Sequence, residues 1–94
     1  MPNEYINNPL NEHRLSIKAF AAISGYSRQW LYILSKQHVG PVLLTTYTQT
    51  GAQRRFYNAL SALRWLNEQR PERADAYLRV LEAADPSIDW RAGL

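Results

Sequence analysis

Residues 16–36 read Ser16-Ile17-Lys18-Ala19-Phe20-Ala21-Ala22-Ile23-Ser24-Gly25-Tyr26-Ser27-Arg28-Gln29-Trp30-Leu31-Tyr32-Ile33-Leu34-Ser35-Lys36, and this stretch decides the fold. Ile17, Phe20, Ala21 and Ser24 recur at helical spacing behind Ser16, whose hydroxyl suits an N-cap. Gly25 supplies the left-handed conformation that ends such a helix, and Ser27 can cap a second helix over 28–36 with Leu31 and Leu34 inward. Small residues where two helices cross, a glycine between them and apolar anchors on the second helix are the requirements of a helix-turn-helix. Any pair of short packed helices can meet the same requirements, so the order of the next elements matters.

Downstream, Gly40-Pro41 breaks the helical pattern, and Val42-Leu43-Leu44-Thr45-Thr46-Tyr47-Thr48 is β-branched and aromatic enough for a strand. A second strand is expected over Gln53 to Tyr57, joined through Gln49-Thr50-Gly51-Ala52, so the pair reads as a β-hairpin. Asn58 can cap a third helix with Ala59, Leu60, Leu63 and Leu66 on one face and Trp65 extending it. Pro71 opens a fourth, to Ala84, with Glu72 and Asp75 near its positive end and Ala74, Tyr77, Leu78 and Leu81 on one stripe. The tail that follows carries Ile88, Trp90 and Leu94, too apolar for a purely solvated end. Upstream, residues 1–14 are rich in Asn and Pro and read as a loose N-terminal arm whose Tyr5 and Ile6 can dock on the body.

A chain of 94 residues, 46% hydrophobic and 20% charged, suits one folded domain. The chain has no cysteine, and His13 and His38 form no ligand set, so neither a metal nor another cofactor is expected. No apolar run approaches the roughly 20 residues of a membrane span, and Met-Pro-Asn-Glu lacks the pattern of a secretory signal, so a cytoplasmic protein without membrane partners is expected. The net charge of +3 hides an asymmetry: between His13 and Asn67 lie Arg14, Lys18, Arg28, Lys36, Arg54, Arg55 and Arg64 and no acid. All eight acidic residues lie in the flanks. A basic middle unmixed with acid fits a polyanionic partner, with a solvated basic surface as the alternative. The C-terminal acids have helical surface spacing, and no Gly-rich phosphate loop or His-x-x-x-His pair occurs, so no enzymatic activity is expected.

Leu15 to Gln69 resembles the MerR-like winged helix-turn-helix domains of phage excisionases, AlpA-type regulators and the DNA-binding part of terminase small subunits. The features shared are the helix-turn-helix, Gly40-Pro41-Val42, the basic-aromatic strand Gly51-Ala52-Gln53-Arg54-Arg55-Phe56-Tyr57 and Trp65-Leu66. Two features depart from the family pattern, Phe20-Ala21-Ala22 where a polar or acidic residue is common and a long Thr-rich strand in the hairpin. The fold expected is therefore mainly α with a small β-hairpin, a winged helix-turn-helix over residues 15–69 plus a C-terminal helix and tail over 70–94 that packs on the domain or mediates self-association.

The resemblance implies sequence-specific binding to double-stranded DNA, with the second helix in the major groove and the wing along the backbone. The roles it implies are an excisionase-like recombination directionality factor or a small transcription regulator of phage or mobile-element type. Self-association along DNA and an integrase or other phage protein are the partners that go with those roles. A terminase-type packaging domain and a winged-helix module for protein partners are the alternatives.

With Leu31 and Leu34 inward, Arg28, Gln29, Tyr32 and Lys36 fall on the outward face of the second helix and are the base-reading candidates, while Ser27 can hold a phosphate at its start. Trp30 can sit at the core edge or contact the DNA backbone, and packing is favoured. In the wing, Thr48, Gln49, Thr50 and Gly51 form the tip, and strand alternation lets at most one of Arg54 and Arg55 point fully toward DNA. Arg14 and Lys18 are secondary backbone candidates.

Overall fold

The computed structural model describes residues 8–94. The proposed docking of Tyr5 and Ile6 lies outside the described residues. A short 3-10 turn at Pro9–Asn11 leads into β1 (Arg14–Ser16), α1 (Ile17–Ser24), α2 (Arg28–Lys36), β2 (Leu43–Tyr47), β3 (Gln53–Asn58), α3 (Ala59–Gln69) and α4 (Pro71–Ala84). The result is a small helical domain with a three-stranded antiparallel sheet in the order β1-β3-β2.

Three helix starts follow from local chemistry. Ser16, Ser27 and Asn58 each accept a hydrogen bond from the backbone N–H three residues on, at Ala19 (3.0 Å), Trp30 (3.0 Å) and Ser61 (3.1 Å), satisfying a donor that the first turn leaves unpaired. α1 ends where Gly25 takes φ of 81° and its N–H returns to the Ala21 carbonyl at 2.9 Å. α4 begins with proline at its first position, where the missing N–H has no helical acceptor to lose.

α3 is the centre of the core, with Ala59, Leu60, Ala62, Leu63 and Leu66 all buried. Phe20 of α1 packs on Tyr57 of β3 and on Trp65 of α3, with ring centroids 5.0 and 6.3 Å apart. Leu31 anchors α2, while Ala74, Leu78 and the tail residue Trp90 join the same cluster from the C-terminal side. The indole of Trp90 donates to the Asp85 carbonyl at 3.2 Å and stacks on His13. Among the described residues no helix is long and apolar enough to cross a membrane.

The structure departs from the sequence reading at two points. The hairpin is part of a three-stranded sheet, because Arg14–Ser16 pairs with β3 in the register Arg14↔Asn58, Leu15↔Tyr57 and Ser16↔Phe56. Three residues are too few for the period-2 pattern to show, and the pairing partners lie 40 to 44 positions away in sequence. Residues 8–14 of the N-terminal segment also meet the body: Asn8 and Leu10 are buried, and the His13 carbonyl accepts from the Ala59 N–H at 2.9 Å.

Candidate nucleic-acid interface

β2 and β3 pair as Leu43↔Tyr57, Leu44↔Phe56, Thr45↔Arg55, Thr46↔Arg54 and Tyr47↔Gln53. Only the base of this hairpin, at Leu43 and Tyr57, reaches the core, and from Leu44 to Arg55 every residue except the half-buried Thr48 is exposed. A two-stranded ribbon that buries nothing is marginal by itself, so its outer half adds little to the core. The turn compensates locally. Thr48 accepts from the Gly51 N–H (2.9 Å) through its carbonyl and from the Ala52 N–H (3.0 Å) through its hydroxyl, which also bonds the Thr50 hydroxyl. Gly51 closes the turn at φ of 84°. Thr48 is thus occupied inside the turn, while Gln49, Thr50 and Gly51 form the exposed tip.

Cross-strand partners share a face and successive residues alternate, so the register divides the two hairpin arginines. Arg55 shares its face with Thr45, Gln53 and Tyr47, and this face turns toward the end of α2, across a groove of about 400 Å³ also lined by Ser35 and His38. Arg54 lies on the opposite face with Phe56 and Arg14, whose guanidinium sits 4.4 Å over the Phe56 ring. Arg14 thereby belongs with Arg54 rather than with α2. Lys18 is exposed on α1.

On α2 the outward face carries Arg28, Gln29, Tyr32 and Lys36, all exposed, with the Lys36 ammonium 5.3 Å from the centroid of the Tyr32 ring one turn back. Ser27 is exposed at the start of the helix with its oxygen already accepting the capping bond. Trp30, assigned to packing from the sequence, is instead 44% exposed and stands outside the core cluster. It lies about 100° round the helix from the buried Leu31, and α2 is too short to bury so wide an arc. Apolar character alone does not place a large side chain inside.

Charge is segregated as well. The salt bridges among the described residues lie on α4 and the tail: Arg79 to Asp75 (2.7 Å), Arg91 to Asp75 (2.7 Å) and Arg91 to Glu82 (3.0 Å). The two guanidiniums donate to the Asp75 carboxylate, Arg91 foremost, and hold its pKa below the usual range. Among the described residues, Arg28, Arg54 and Lys18 meet no carboxylate.

Two further cations stand at the α1–α2 turn. Arg70 donates from Nη1 to the Ser24 carbonyl at 3.1 Å and stacks 4.1 Å over the Tyr26 ring, while a Cβ on Gly25 would lie 3.2 Å from the Arg73 guanidinium carbon. No local pattern marks them, because the contact spans 46 positions. Among the described residues no group of three or more His, Cys, Asp or Glu side chains is placed to hold a metal ion.

Comparison of the chain with protein-family models, curated proteins and solved structures finds no match.

Proposed function

We propose that the chain binds double-stranded DNA as a winged helix-turn-helix, with α2 in the major groove and the β2–β3 hairpin along the phosphate backbone. The observation that carries this reading is the exposed row Arg28, Gln29, Tyr32 and Lys36, free of carboxylate partners among the described residues and carried by the helix whose Ser35 lines one groove with Arg55. An arginine fork suits the guanine O6/N7 edge and a glutamine amide suits adenine, so the residue types fit base reading as well as charge neutralisation. The acids Glu72, Asp75, Glu82, Asp85 and Asp89 keep α4 and the tail off the polyanion. In this reading the chain is a binding protein and not an enzyme.

A module of this size covers about 600–1,000 Å² on DNA, which favours several copies binding along neighbouring sites. Together with the resemblance of residues 15–69, this supports an excisionase-like recombination directionality factor or a small transcription regulator, working with an integrase or another phage protein. A protein-binding role is the second reading, favoured by the exposure of Trp30 and of Tyr47, the latter 70% exposed on the Arg55 face.

Fluorescence anisotropy of labelled duplexes over a range of salt concentrations tests the proposal. DNA binding predicts that log K falls linearly with log salt, with a slope of about −0.9 for each phosphate neutralised. A folded chain that leaves every duplex unbound at low salt would rule it out and favour the protein partner.

A further inference from the structure

The groove between α2 and the hairpin is built from two elements and a link. Ser35 and His38 form one wall, Thr45, Gln53 and Arg55 the other, and Val42 adds an apolar lip that is 60% exposed. The Ser35 hydroxyl is already committed, donating to the Tyr32 carbonyl at 2.7 Å. Among the described residues Arg55 has only a long contact to the Gln53 amide oxygen, at 3.4 Å. The imidazole of His38 has no hydrogen-bond partner among the described residues.

His38 is also the one non-glycine residue with a positive φ among the described residues, at 57°. This left-handed residue ends α2, with its N–H donating to the Ser35 carbonyl at 3.2 Å, and the turn sets its side chain on the groove wall. Among the described residues the charged groups near it are cationic: Arg55 of β3 lines the same groove, and Lys36 precedes it on α2 with its ammonium turned over Tyr32. No carboxylate of a described residue lines the groove.

A slot with a guanidinium, an imidazole and an apolar lip matches a phosphodiester, whose anionic oxygens accept hydrogen bonds while the neighbouring deoxyribose presents carbon. We propose that this groove seats one sugar-phosphate unit of bound duplex DNA between Arg55 and His38, so that protonation of His38 tightens the grip. The inference rests on the DNA-binding reading and assigns it a contact and a pH dependence. The sign follows from linkage: a bound phosphate favours the imidazolium, so DNA binding and proton binding reinforce one another, and affinity rises as pH falls through the imidazole range, about 6.5 for an ordinary histidine.

The test uses the full chain with labelled histidine side chains, followed by NMR from about pH 8 to about pH 5 with and without a short mixed-sequence duplex. His13, stacked on Trp90, serves as the reference in the same spectra. The His38 midpoint is expected to move up by about one unit on the duplex while that of His13 stays, with affinity about tenfold tighter at the acid end. His38→Asn, which tolerates the left-handed backbone, should remove that pH dependence. A bound duplex with an unmoved His38 midpoint would overturn the groove assignment and leave the DNA-binding reading standing. An equal shift produced by inorganic phosphate alone would make it a small-anion site and overturn it too. Failure of any duplex to bind would overturn both.

Discussion

The guanidinium of Arg70 holds the carbonyl of Ser24 across 46 positions of sequence, at 3.1 Å, and so fastens the start of α4 to the turn between α1 and α2. The bond satisfies a carbonyl that the end of α1 leaves without a helical partner, and the same group stacks on Tyr26. Arg70→Ala is expected to cost about 1–3 kcal/mol, measured by urea denaturation, since a charged donor is lost from a half-buried site. A cost indistinguishable from zero would show that α4 is held by Ala74 and Leu78 alone.

Two glycines separate backbone strain from steric crowding. Gly25 and Gly51 have nearly the same φ, 81° and 84°, but a Cβ at Gly25 would stand 3.0 Å from Arg70 Nη1, whereas at Gly51 nothing lies within 4 Å. Gly51→Ala should cost about 1 kcal/mol, the conformational penalty alone, and Gly25→Ala distinctly more, because it also displaces the Arg70 guanidinium. In an Arg70→Ala background the gap should narrow but not close, because the Arg73 guanidinium still stands 3.2 Å from the new Cβ. Equal costs in the parent protein would contradict the crowding.

The tail is part of the core. Trp90 is only 7% exposed, so Trp90→Ala should destabilise by about 3–5 kcal/mol, enough to be seen as a large fall in the midpoint of thermal unfolding. Removal of residues 86–94 should act on stability or self-association in the same way and leave the DNA affinity of a folded monomer largely intact. A stable truncated chain with strongly reduced affinity would instead put the tail on DNA.

Asp75 introduces an acid dependence. Hydrogen bonds from Arg91 and Arg79 depress its folded pKa, so its contribution to stability is present above the unfolded carboxylate value, about 4, and is lost as pH falls through the folded one. The difference in melting temperature between the parent and Asp75→Asn should therefore shrink as pH is lowered below about 4. A difference that grows on acidification would contradict the assignment.

How much was legible in the sequence depends on how local the determining contact is. The starts of α1, α2 and α3 and the glycine stop at Gly25 could be read because each cap joins residues within a few positions of one another. β1 could not, since its three residues acquire meaning only by pairing with β3. Alternation showed that Arg54 and Arg55 must part, but only the register opposite Thr45 and Thr46 tells which faces α2. Trp30 misled because its burial depends on what lies opposite, and Arg70 and Arg73 reach the turn through the packing of α4, which no short motif encodes.

The central claim, that the outward face of α2 reads DNA while the Arg55 face of the hairpin grips its backbone, is tested most directly by affinity against salt for a preferred and a scrambled duplex. The proteins compared are the parent, Arg28→Ala, Gln29→Ala, Arg54→Ala and Arg55→Ala, each shown to be folded by circular dichroism. Arg28→Ala and Gln29→Ala should narrow the gap between the duplexes, by about 1–3 kcal/mol for a bidentate contact. Arg55→Ala should weaken both alike and reduce the salt slope by about one, with a smaller effect from Arg54→Ala on the opposite face. Four variants that match the parent on both duplexes would contradict the account.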